Sequence, residues 1–125
     1  MMLRSRLADL SLDFGVEIVY LSIYLTKRRQ YILSSQICKS GTSIGANISE
    51  AQYAHSKADF IAKMQIALKE ANETCYWLIL LRRTNFLSEE SYQRMYATCN
   101  ELRMMLISSI RTAKNNTKQT TLAPE

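Results

Sequence analysis

Glycine and proline let a chain turn sharply, and this one has three glycines and a single proline, Pro124, in 125 residues. Sandwiches, barrels and glycine-rich phosphate cradles need glycine wherever φ is positive or backbone must approach closely, so the composition argues against all of them. With 47% apolar and 22% charged residues, what remains is one globular, all-α domain of long helices. Lysine and arginine number 16 against 11 acidic residues, a net charge of +5 that favours an anionic partner without naming one.

A single histidine leaves little basis for acid–base or metal chemistry, so the expectation is no enzyme, no cofactor and no metal centre. His55 and Asp59 are four apart, but two ligands do not make a site. No serine or cysteine nucleophile comes with a matched base. The first ten residues carry charges where a signal peptide needs an apolar core, and the longest apolar run is Cys75 to Leu81. A cytoplasmic chain that does not enter a membrane is expected. Cys38, Cys75 and Cys99 are odd in number and far apart, which reads as reduced packing thiols.

Apolar spacing predicts four helices. Leu3, Leu7, Leu10, Phe14, Ile18, Leu21 and Leu25 recur at steps of three and four, placing a helix over residues 3–28. The same helix carries a second stripe, Leu12, Val16, Val19 and Ile23, to be covered either by a neighbouring helix or by another subunit. A second helix, Gln30 to Tyr53, keeps Leu33, Ile37, Ile44, Ile48 and Ala51 on one face and is otherwise small and nearly uncharged. Gly41 and Gly45 in its interior mark a close helix crossing or a bend, and the small residues are candidates for a subunit interface. A third helix starts at the Ser56–Asp59 cap and ends near Arg83 or Asn85, with Phe60, Met64, Ala67, Leu68, Ala71, Cys75 and Leu78 inward. Trp77 on its other side is a further interface candidate. Ser88 caps a fourth helix with Tyr92, Met95, Cys99, Leu102, Leu106, Ile110 and Ala113 inward. Short connections make an up-down-up-down antiparallel four-helix bundle over residues 1–114 the simplest packing, with 115–125 as a polar tail.

On the second helix Gln36, Ser40, Ser43, Asn47 and Glu50 line up beside the apolar stripe, a polar seam suited to setting helix register. The motif Ser40-x-x-Ser43-Ile44-x-x-Asn47-Ile48-x-Glu50, with Lys57–Phe60 and Ile66–Glu73 after it, resembles the four-helix-bundle family of 23S rRNA intervening-sequence proteins. Ala51 stands where the family usually has glycine, a change a helix tolerates. The resemblance implies an antiparallel bundle assembled into a homopentameric ring, with no established enzymatic activity. The family is in turn similar to the basic ring-forming accessory proteins of diversity-generating retroelements, which bind a reverse transcriptase and its template RNA.

In such a bundle the first and third helices end on the same side, bringing Lys27, Arg28 and Arg29 near Arg82 and Arg83. Cations also belong at helix C-termini because they complement the dipole, and Glu89 and Glu90 dilute the field there. The opposite end gathers Arg4, Arg6, Lys57, Arg111 and Lys114. A fivefold ring would multiply the charge fivefold and let weak phosphate contacts act together. Nucleic-acid backbone binding, RNA before DNA, is therefore the leading expectation; Tyr31 beside the cluster could stack on an unpaired base, but a tyrosine near a helix start is more often simple packing. A protein–protein adaptor presenting Trp77 or the outer stripe of the first helix is the alternative.

Overall fold

The computed structural model describes residues 5–122, with side-chain surroundings through residue 116. Four helices follow one another: α1 (Arg6–Lys27), α2 (Tyr31–Ala51), α3 (Lys57–Arg83) and α4 (Glu89–Leu122), with no strand among the described residues. Each starts where the sequence offers a cap or a turn. Ser5 Oγ accepts from Ala8 N–H, Ser56 Oγ from Asp59 N–H and Ser88 Oγ from Ser91 N–H, satisfying donors that a first helical turn leaves open.

The connections manage without glycine. Arg29 and Asn85 take positive φ, 62° and 66°, and behind them Gln30 N–H reaches Leu25 O at 2.8 Å and Phe86 N–H reaches Leu81 O at 3.0 Å. Both are Schellman endings, a motif in which glycine normally holds the left-handed position. Scarce glycine thus excludes sheet folds but does not prevent two tight turns at one end of the bundle.

Side-chain contacts set the helix directions. Ser11 of α1 lies against Gly45 and Ile18 against Gly41, Glu50 of α2 pairs with Lys63 and Ser40 with Thr74, and Glu17 of α1 pairs with Arg94 while Arg6 pairs with Glu101. Cys75 of α3 meets Cys99, and Asn72 meets Arg103 of α4. Every neighbouring pair therefore runs antiparallel, as in an up-down-up-down bundle. The α1–α4 joint is the loosest of the four seams.

The inward stripes pack as one core from Leu7, Phe14 and Ile18 through Ile37, Ile44 and Ile48 to Leu78, Leu102 and Leu106. Leu10, Leu33, Phe60, Leu68 and Tyr92 are only partly covered. Leu3 and Arg4 lie outside the described residues, as do 123–125 with Pro124. α4 runs on past its apolar stripe, which ends at Ala113, to Leu122. Loss of apolar period removes a reason for packing, but residues 115–122 contain no proline or glycine to break the backbone ladder.

Candidate functional site

The five cations lie at one end of the bundle, at the C-termini of the diagonal helices α1 and α3, and are not equivalent. Arg28 caps α1, and its guanidinium lies 5.3 Å from the Phe86 ring centroid and 5.7 Å from that of Tyr24, donating to Tyr24 Oη at 2.7 Å. Phe86 lies in the turn between α3 and α4, so this stack ties the end of α1 to that turn. Such cation–aromatic contacts contribute about 0.5–1 kcal/mol at exposed sites and hold the charge at the surface.

Arg82 is already engaged. Its Nε donates to Glu89 Oε1 at 2.8 Å, and its Nη1 reaches Asn85 Oδ1 at 3.3 Å and the Leu87 carbonyl at 3.4 Å. Hydrogen bonds from Gln93 and then Arg82 hold the Glu89 carboxyl below its ordinary range. Lys27, Arg29 and Arg83 are exposed and have no carboxylate partner among the described residues. The five-residue cluster thus resolves into three open cations, one aromatic-stacked arginine and one neutralised arginine. Tyr31, beside Arg29, is 62% exposed and not packed into the core.

A groove of about 480 Å³ opens from this rim along the loose α1–α4 joint, lined by Glu17, Tyr20, Tyr24, Phe86, Ser91 and Arg94 among others. Composition had not suggested it, because its walls come from α1 and from the far side of the α3–α4 turn. At the opposite end Arg6 is paired with Glu101 and also reaches Met105 Sδ, whereas Lys57, Arg111 and Lys114 are exposed.

The second stripe of α1 stays uncovered. Leu12 is 65% exposed, and Val16, Val19 and Ile23 also face outward, so no helix of the same chain takes the place that the spacing left open. Gly41 and Gly45 mark the close helix crossing that their spacing suggested. A Cβ on Gly41 would come within 2.7–2.9 Å of Ile18 side-chain atoms, and one on Gly45 within 3.2 Å of Ser11 Oγ. Both glycines therefore serve the α1–α2 crossing inside the chain; the helix is kept small there because a neighbour already occupies the space. Trp77 is half-buried against the core, its indole N–H donating to Glu73 Oε2 at 3.1 Å and its ring meeting Tyr76 edge-on at 5.1 Å.

The polar seam divides between structural tasks. Ser40 is buried and hydrogen-bonds Thr74 of α3 at 2.9 Å. Ser43 Oγ donates to the Lys39 carbonyl, Asn47 Nδ2 to the Ser43 carbonyl at 2.8 Å, and Glu50 pairs with Lys63 of α3 at 3.0 Å. A second polar knot, unseen in the sequence, joins Ser22, Thr26 and Ser34 at the α1–α2 turn, with Ser34 Oγ 2.8 Å from both Thr26 Oγ1 and the Ser22 carbonyl. Its members come from two helices, so no spacing rule along one helix reveals it.

His55 is exposed, and its backbone N–H approaches Asp59 Oδ2 at 3.4 Å. No group of three metal-ligating side chains occurs among the described residues, and no helix there is long and apolar enough to cross a membrane.

Comparison with known proteins places this geometry among relatives. A family model described as 23S rRNA-intervening sequence protein matches residues 5–108. A crystal structure of a protein of unknown function from the S23 ribosomal protein family of Bacteroides thetaiotaomicron is similar at 50% identity, with a TM-score of 0.81 over 83% of this chain and 97% of that one. No curated protein matches the chain.

Proposed function

The chain belongs to the 23S rRNA-intervening sequence protein family, and on that premise we propose that it is a non-enzymatic, ring-forming bundle that binds nucleic acid, RNA before DNA, through backbone electrostatics. The observation that carries this is the rim itself: Lys27, Arg29 and Arg83 are exposed without a carboxylate partner among the described residues, at the same end of the bundle as stacked Arg28, in a chain with net charge +5. Phosphates bind such open cations by releasing counterions. The exposed stripe Leu12, Val16, Val19 and Ile23 supports assembly, since a continuous apolar face on a helix is more stable covered than wet. A homopentamer would repeat the rim around one axis, so contacts too weak singly would act together.

Filter binding of a single-stranded RNA at two salt concentrations tests the proposal. Binding at low salt that weakens as salt rises, and that falls when Lys27, Arg29 and Arg83 are changed to glutamine, supports it. Absence of low-salt binding, or binding indifferent to the three substitutions, overturns it.

The second reading is a protein–protein adaptor, and the exposed apolar face of α1 favours it because such a face also suits a partner helix. Pull-down with and without nuclease separates the two. A protein partner retained after RNA is destroyed favours the adaptor; loss of all partners favours direct nucleic-acid binding.

A further inference from the structure

Cys75 and Cys99, twenty-four positions apart in the sequence, are brought face to face across α3 and α4 with their sulfurs 3.2 Å apart. Cys99 is fully buried and its Sγ approaches the Ala71 carbonyl at 3.4 Å, while Cys75 is 4% exposed. Beside them stands Arg103, one turn after Cys99 on α4. Asn72 and Asn100 side-chain oxygens hold its terminal nitrogens at 3.4 and 2.6 Å. Its Nε is buried without a hydrogen bond, and it has no carboxylate partner among the described residues. An arginine with no anion of its own, next to two touching thiols, is placed to favour a thiolate.

We propose that Cys75 and Cys99 form a peroxide-oxidisable dithiol, with Cys75 attacking, Cys99 resolving and Arg103 as the positioning cation, so that oxidation links α3 to α4 through a reversible disulfide. The two thiols are unlike. A hydrogen bond donated by the Cys99 thiol to the Cys75 thiolate holds Cys75 below its ordinary range, with Arg103 acting in the same sense, while that bond and burial push Cys99 well above. Hydrogen peroxide is the co-reactant that suits the site, because the small exposure of Cys75 excludes bulky oxidants. The Cys75 thiolate attacks one peroxide oxygen, breaking the O–O bond to give a sulfenic acid and hydroxide. Cys99 Sγ then attacks Cys75 Sγ, its proton leaves with the departing hydroxyl as water, and the S–S bond forms. The dithiol is oxidised by two electrons and the peroxide is reduced to two waters.

The test uses the full chain carrying Cys38→Ser, which removes the more exposed third thiol. After hydrogen peroxide, quenching and alkylation under denaturing conditions, the expected product has lost two hydrogens, yields a linked Cys75–Cys99 peptide, and reverts with dithiothreitol. Its Tm rises by about 10 °C, as closure of a loop of this length requires. In a Cys99→Ser background Cys75 stops at a sulfenic acid that dimedone traps. Arg103→Gln slows linkage several-fold, and an unchanged rate would overturn its part. Recovery of both cysteines as alkylated thiols, or oxidation past sulfenic acid without a link, would overturn the dithiol.

Discussion

At Gly41 a methyl group has no room: the Cβ would sit 2.7–2.9 Å from three atoms of the Ile18 side chain, itself fully buried. Gly41→Ala should therefore lower stability by about 1–3 kcal/mol in urea unfolding, because a β-branched side chain in a packed core yields poorly. At Gly15 a Cβ meets nothing within 4 Å, so Gly15→Ala should raise stability by up to about 1 kcal/mol on helix propensity alone. Two glycines in helix interiors thus predict opposite signs, and similar effects from both would contradict the crossing described here. Arg29 presents a related contrast. It holds φ at 62°, a region costing a side chain about 1 kcal/mol relative to glycine. Arg29→Gly should stabilise the fold by about that much while weakening RNA binding, a divergence that unfolding and filter-binding measurements resolve together. None of these three outcomes follows from sequence spacing, which marks glycines as permissive without saying what stands opposite them.

The element that matters most for an anionic partner is the start of α4, where Glu89 takes up Arg82. Glu89→Gln should release that arginine and strengthen RNA binding at neutral pH, whereas Lys27, Arg29 and Arg83 changed to glutamine should lower the log–log salt slope by about 2 on single-stranded RNA. Hydrogen bonds from Gln93 and Arg82 hold the Glu89 carboxyl below its ordinary range in the folded chain, so its contribution to stability is present above the ordinary carboxylate range and is lost as pH falls through the folded pKa. Thermal unfolding across the acid range should show wild type and Glu89→Gln differing at pH 7 and converging at low pH. The rim cations were legible in the sequence because helix ends are; the Arg82–Glu89 pair is a contact made by a turn whose path the sequence does not specify. The end of α4 has no apolar stripe, and the helix continues there because residues 115–122 include neither proline nor glycine to break the backbone ladder.

Assembly belongs to the whole molecule. Its exposed stripe predicts that the chain runs above 14.4 kDa in light scattering at micromolar concentration, at five times that mass if the ring is pentameric. Val16→Lys with Val19→Lys should return it to a monomer with its helix content intact, since neither residue is in the core. A wild-type monomer would remove the ring, and with it the avidity on which the proposed RNA binding rests. Binding lost in the lysine variant, despite its added positive charge, would show that assembly rather than charge sets affinity.

By itself the sequence determined the class and most of the core. Scarce glycine and proline left only helices, and steps of three and four place Phe14, Ile18, Ile37, Ile44, Leu78, Leu102 and Leu106 inward, because a helix repeats its face by local geometry alone. Its second stripe on α1 was equally legible, but whether a neighbouring helix covered it was not. Only the tertiary structure decided that it stays bare, that Gly41 and Gly45 face α1, that Glu89 silences one of five rim arginines and lysines, and that Cys75 meets Cys99. Each of these is a relation between helices, fixed by the rotation and offset at which packed side chains interlock, and periodicity along a single helix carries no record of either.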